Sequence, residues 1–195
     1  MTLRRLALSV LAVLALTGCA HTTIEPGHRG LLFDPSRGGL QSEVLAPGVY
    51  RVGGSARVED FDVTYSTRHE KVGAISSEGL SFELVVGVIY RPIIAELYAL
   101  DTEIGPAYYD EVVGPEARSA IRGVVARTSF TALIPQASTV EDAIEREIRA
   151  RVAGKHVEIA SVVVEKLDLP PEVAAAMRRR ALEKAAGNCA VEGAR

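Results

Sequence analysis

Tryptophan is absent from this chain of 195 residues, methionine and cysteine occur twice each, and aromatic side chains make up 5% of it. Two cysteines cannot build the disulfide framework on which small secreted domains depend, so the fold must rest on an apolar core. The four histidines, at 21, 28, 69 and 156, are scattered, and no His-x-x-x-His or Cys/His cluster has the spacing of a zinc site. No metal and no cofactor is expected. A Gly-x-Ser-x-Gly elbow is missing, and the glycine-rich stretches lack the Lys and Ser/Thr of a phosphate loop, so no catalytic residue is assigned. Cations are not in surplus either, with a net charge of −3, and nucleic acid is not an expected partner. What the chain does have is an ordinary globular balance, 48% hydrophobic and 24% charged, and length enough to bury a core.

Arg4 and Arg5 precede an apolar run from Leu6 to Leu16, the charged and hydrophobic regions of a secretory signal peptide. At about 1.5 Å per residue the run reaches only about half of a ~30 Å hydrocarbon core, too short to span it. The sequence Leu16-Thr17-Gly18-Cys19 that follows resembles the lipobox of bacterial lipoproteins. The resemblance implies recognition of Leu16, Thr17 and Gly18 by a signal peptidase, cleavage before Cys19, and acylation of Cys19, whose thiolate forms the thioether. Several acyl chains at about 0.8 kcal/mol per buried methylene make a durable anchor. The implied arrangement is a signal peptide over 1–18 and a lipidated tether over 19–25, with His21, Thr22 and Thr23 exposed. Ala20, where enterobacterial sorting rules would need Asp for retention, points to the outer membrane with the domain facing the periplasm. Cys189 is then the one free thiol, unable to close an intrachain disulfide and a candidate for contact between chains.

From Pro26 to Ser77 the sequence reads as short antiparallel strands, with turn signals at Pro26-Gly27, Gly38-Gly39, Pro47-Gly48 and Gly53-Gly54. The clearest strand is Leu80 to Tyr90, where Leu80, Phe82, Leu84, Val86, Val88 and Tyr90 share one face, preceded by a hairpin turn at Ser76-Ser77-Glu78-Gly79. After Arg91-Pro92 the period becomes helical. Ile93, Ile94, Leu97 and Leu100 form one stripe, and Ala117, Ile121, Val124 and Val125 form another on a helix starting at Pro115. Ser138-Thr139-Val140-Glu141 reads as a capping box opening a third helix that Gly154 stops. Val157 to Leu169 returns to β, and Pro170-Pro171 starts a last helix running to about Ala186, with Gly187 and Asn188 breaking the pattern.

Four segments in this order resemble the SPFH superfamily, also called band 7 or the prohibitin homology domain, shared by stomatins, prohibitins and flotillins. They are Pro26-Gly27-His28-Arg29-Gly30-Leu31 with Leu45-Ala46-Pro47-Gly48-Val49-Tyr50, then Ser77-Glu78-Gly79-Leu80 with its strand to Pro92, then Arg118-Ser119-Ala120-Ile121-Arg122, and finally Asp168-Leu169-Pro170-Pro171-Glu172-Val173. The resemblance implies an α+β fold: an N-terminal antiparallel sheet packed against helices, a late strand, and a short C-terminal helix. The domain would span 26–170, followed by helix and tail over 171–195.

A lipidated Cys19 would replace the hydrophobic N-terminal segment usual in that family. The long Glu/Ala-rich coiled coil after the domain is here reduced to Arg178–Arg195, so weak homo-oligomers are expected rather than large rings. The implied role is a non-catalytic, membrane-anchored scaffold at the bacterial cell envelope, holding a membrane protease or another envelope protein. The alternative is a monomeric adaptor or pilot for one partner complex. Arg118 and Arg122, four residues apart on one helix face, could grip a subunit or lipid phosphates, or pair within the chain with Glu111, Glu116 or an acid on the sheet.

Overall fold

Short runs of β-branched and aromatic residues, punctuated by Gly and Pro, fold the first half of the chain into seven strands. A computed structural model describes residues 20–192. The strands are β1 (Ala20–Ile24), β2 (His28–Asp34), β3 (Gly39–Leu45), β4 (Gly48–Val52), β5 (Arg57–Asp62), β6 (Ser66–Ile75) and β7 (Ser81–Pro92). Four helices follow: α1 (Leu97–Glu103), α2 (Gly114–Val125), α3 (Phe130–Leu133) and α4 (Ala137–Arg151). Strand β8 (Val157–Asp168) and helix α5 (Pro171–Glu192) complete the chain. The α+β class expected from the sequence is the one observed. Where one domain over 26–170 was expected, the chain divides between two compact units with interleaved segments.

The first unit comprises residues 20–65, Arg91–Tyr108 and Lys155–Val157. Its β1 and β4 form an antiparallel ribbon, and β3, β2 and β5 a three-stranded sheet with β2 central. Ile24, Leu31, Phe61, Val63, Leu97 and Leu100 are buried, and α1 packs on β3. Gly30 sits where β2 passes closest to its neighbours: a Cβ there would lie 2.5 Å from Ile24 Cδ1 and 2.6 Å from Val58 Cγ1. The expected tether over 19–25 is corrected here. All five residues from Ala20 to Ile24 pair with β4, and Ile24 is a core residue, so this segment is strand rather than slack.

The second unit comprises Ser66–Tyr90, Tyr109–Gly154 and residues from Glu158 onward. Strands β6, β7 and β8 form its sheet in that order, and β6 and β7 pair in unbroken antiparallel register from Ser66↔Tyr90 to Ile75↔Ser81. The hairpin falls on the expected turn, where Gly79 takes a φ of +83 and donates its N–H to Ser76 O. Phe82, Leu84, Val86, Val88 and Tyr90 are all buried, as the period-two pattern requires. Helix α2 packs on both β6 and α4. A single π-helical turn, Tyr109–Val113, leads into α2, with Pro115 in its first turn.

Two further expectations are corrected. The capping box at Ser138–Glu141 does not form: α4 already begins at Ala137, its N-cap Gln136 makes no side-chain cap bond, and the Glu141 carboxylate accepts a hydrogen bond from Val164 N instead. Helix α5 does not break at Gly187 and Asn188 but runs through both to Glu192. Glycine costs a helix only about 1 kcal/mol relative to alanine, too little by itself to end this one after Ala185 and Ala186.

Candidate functional site

Among the described residues, the one buried carboxylate of the second unit lies on β6. Period-two alternation puts Glu70 on the same face as Val72, Ala74 and Ser76, the face turned into the core, and Glu70 is only 7% exposed. A charged group so placed needs partners for each oxygen. The Tyr109 hydroxyl donates to Oε1 at 2.9 Å and the Arg118 guanidinium donates to Oε2 at 2.8 Å. Burial, and then the Glu70 charge, push the Tyr109 hydroxyl far above the usual phenol range, so it stays a donor. The Tyr90 ring lies 4.5 Å from the Tyr109 ring, and the Arg68 guanidinium stands 5.3 Å over it. Gly114 makes room, since a Cβ there would come within 3.3 Å of Glu70 Oε1 and 3.2 Å of both Arg118 Nη1 and Tyr109 O.

This triad joins the π turn and the first turns of α2 to β6. With both oxygens occupied by donors, Glu70 is a fixed acceptor and not a free base; the arrangement positions backbone and offers no nucleophile. Arg118 therefore pairs within the chain, with an acid on the sheet, while Arg122 one turn later is exposed. Four-residue spacing placed both on one side of α2, but the reach of Arg118 to Glu70 separates their roles.

Two smaller clusters fix loops. Glu78, in the β6–β7 hairpin, accepts from the Ser129 hydroxyl and from Phe130 N at 2.9 Å, capping α3 from another element. These bonds, the serine's first, hold its carboxyl at about 2. In the first unit His156 takes a left-handed φ of +62, with Nδ1 2.8 Å from Glu96 Oε2 and Nε2 3.2 Å from Glu103 Oε2. The bond to Glu96 raises its pKa most, burial opposes it, and the weaker bond to Glu103 adds to the rise.

Two arginines near the end of α4 make contacts beyond their own helix. Arg149 donates to Ile159 O and Ala160 O, and Arg151 bridges Glu147 and Glu116. Among the described residues no set of three or more His, Cys, Asp or Glu side chains gathers as a metal site. A cavity of about 490 Å³ lies between Leu80 and Phe130 on one side and Val173, Ala176 and Met177 of α5 on the other; its lining is mostly apolar, with Thr131 and Glu172 as its polar members.

Leu16, Thr17, Gly18 and Cys19 lie outside the described residues. Cys189 falls in α5, with its side chain also outside them. Glu70 and Tyr109 were missed in the sequence. A glutamate in phase with Val72 and Ala74 was the available signal, but its partners lie 39 and 48 residues away.

With this geometry in place, comparison with known proteins defines the class: the model of the SPFH domain / Band 7 family matches residues 22–195, and the chain belongs to that family. Among its relatives, it is 26% identical to Prohibitin 1 of Gallus gallus over 131 residues, which is 67% of this chain and 48% of that protein. It is 24% identical to Prohibitin-2 of Xenopus tropicalis over 159 residues (81% and 53%) and to Prohibitin-2 of Dictyostelium discoideum over 176 residues (90% and 59%). The chain thus spans about half the length of the relatives it matches. No helix among the described residues is long and apolar enough to cross a membrane.

Proposed function

We propose that the protein is a non-catalytic scaffold of the bacterial cell envelope, an SPFH domain carried on a lipid anchor at Cys19, which self-associates weakly and holds a partner such as a membrane protease near the bilayer. The observation that carries this reading is the junction: the lipobox-like Leu16-Thr17-Gly18-Cys19 ends one residue before β1, and the family match begins at residue 22. An acyl group at Cys19 would hold the domain itself at the membrane. The interior supports a structural role, since its buried carboxylate is committed to the Tyr109 hydroxyl and the Arg118 guanidinium.

Cys19→Ser tests the anchor, because a hydroxyl does not form the thioether. The wild-type chain should incorporate labelled fatty acid and fractionate with membranes, while the variant stays unprocessed and unlabelled; an acylated Cys19→Ser variant overturns the anchor. The mass of the detergent-extracted protein, with crosslinking in membranes, tests self-association. Crosslinked multimers of the chain support the scaffold, and a monomer bound to a single other protein supports an adaptor instead.

A further inference from the structure

The β1–β4 ribbon has two unlike faces. Ile24 and Val52, 2% and 6% exposed, turn into the first unit together with half-buried Thr22 and Tyr50. His21, Thr23, Val49 and Arg51 are exposed on the other side, and the register pairs His21 with Arg51 and Thr23 with Val49 directly across the ladder, so the four make one surface. Val49 is 67% exposed, Arg51 has no ion-pair partner among the described residues, and none of the four is acidic. Cys19 adjoins this ribbon directly. Every residue from Ala20 to Ile24 is paired with β4, so no loop separates residue 19 from the ladder.

We infer that the outer face of the β1–β4 ribbon rests on anionic phospholipid headgroups, with Arg51 and His21 meeting their phosphates and Val49 entering the interface between them. The inference rests on the reading of Cys19 as acylated. At about 3.3 Å per residue, Thr23 lies within about 14 Å of Cys19 along the strand, and a paired strand has no slack with which to swing away. A lipid on Cys19 therefore brings the ribbon to the headgroup layer, only about 5–7 Å deep on each side of the hydrocarbon. The inner face is committed to the core, which leaves the outer face to meet that layer. Its chemistry fits, because a guanidinium fork matches phosphate oxygens and none of the four outward residues is a carboxylate, the exposed Glu25 lying just past the end of β1.

The test uses the full chain, extracted from membranes and reconstituted into vesicles of phosphatidylcholine mixed with phosphatidylglycerol and carrying a headgroup-attached quencher. A small fluorophore is placed on Val49→Cys in a Cys189→Ser background, with Thr23→Cys as a second position; unchanged melting certifies the fold. Both labels should be quenched, and Arg51→Glu should lower the ratio of docked to free ribbon by about fivefold or more, the effect of a basic residue near an anionic surface. Fatty-acid labelling of the same preparation separates the two readings. An acylated chain whose labels stay as bright as in quencher-free vesicles overturns the docked face and leaves the anchor standing, whereas an unacylated chain overturns the anchor and the docked face with it. Quenching that is equal in pure phosphatidylcholine and indifferent to Arg51→Glu overturns the assignment to anionic headgroups.

Discussion

Glu70→Ala is the sharpest probe of the second unit's interior. The carboxylate is 7% exposed and holds two donors, at 2.9 and 2.8 Å. Its removal strands the Tyr109 hydroxyl in the core, at a cost of about 1–3 kcal/mol, and ends a charge-assisted bond worth about 1.5–3 kcal/mol. The Arg118 side chain is 38% exposed, so water recovers part of its solvation and its share belongs at the low end of that range. The expected loss is about 3–4 kcal/mol, a large part of a typical stability of about 5–15 kcal/mol. Tyr109→Phe removes one donor but leaves Glu70 bound to Arg118, and should cost only about 1–1.5 kcal/mol. In the double variant no hydroxyl is stranded, so its loss should fall short of the sum of the single losses by about 1 kcal/mol. Urea unfolding followed by circular dichroism, with slopes compared across the variants, measures all three. A Glu70→Ala loss below about 1 kcal/mol, or strict additivity in the cycle, would refute the reasoning, because either result means the carboxylate is not the shared acceptor of a dry network.

Val86 is fully buried, so Val86→Asp should leave no folded protein by circular dichroism, an unpaired buried carboxylate costing several kcal/mol; Glu83→Lys on the other face exchanges an exposed pair with Lys71 for a solvent-screened like-charge contact and should cost about 1 kcal/mol or less. Equal losses would mean that β7 does not have one committed face. The raised pKa of His156 gives stability that is full below its ordinary value near 6.5 and is lost as pH rises through the higher folded value. Melting temperature should therefore decline as pH rises past about 6.5, in a step that His156→Asn, which tolerates the left-handed φ, abolishes; an identical step in the variant would place its origin elsewhere. Gly30→Ala, driven against Ile24 and Val58, should lower stability by about 1–3 kcal/mol in urea titration, and no measurable loss would show that both side chains yield freely.

Features that depend on one periodicity were legible in the sequence. Strand β7 with its buried face, the turn at Gly79, the stripes of α2 and α4 and the return to β at Val157 each follow from apolar spacing plus a Gly or Pro boundary. Features that depend on a distant partner were not. The segment Ala20-His21-Thr22-Thr23-Ile24 has one strongly apolar residue, and only its ladder with β4 makes it a strand. Glu70 looked like any surface acid until Tyr109 and Arg118 were brought to it, and Arg118 could be assigned to a partner or to the chain itself only once the sheet was in place. The lipobox-like motif is of another kind, since any processing it directs at Cys19 would act before folding and leave no mark on the packing.

Strand β8 shows why a sound local rule can lose. Ser138-Thr139-Val140-Glu141 has the pattern of a capping box, worth about 1 kcal/mol to a helix, yet Glu141 reaches to Val164 N at 2.8 Å. Two turns along α4, Arg149 donates to Ile159 O and Ala160 O. β8 is an edge strand, and its outward N–H and C=O groups need partners that the sheet does not supply. The first turn of α4 can turn to water, since Ser138 and Thr139 are exposed, whereas the strand edge at half-buried Ala160 and Val164 lies beneath the helix, where an unmet backbone group costs about 1–3 kcal/mol. The carboxylate goes to the backbone group that water reaches less easily. The same two side chains occupy Ile159 O, Ala160 O and Val164 N, and so hinder strand addition by another chain along this part of the edge.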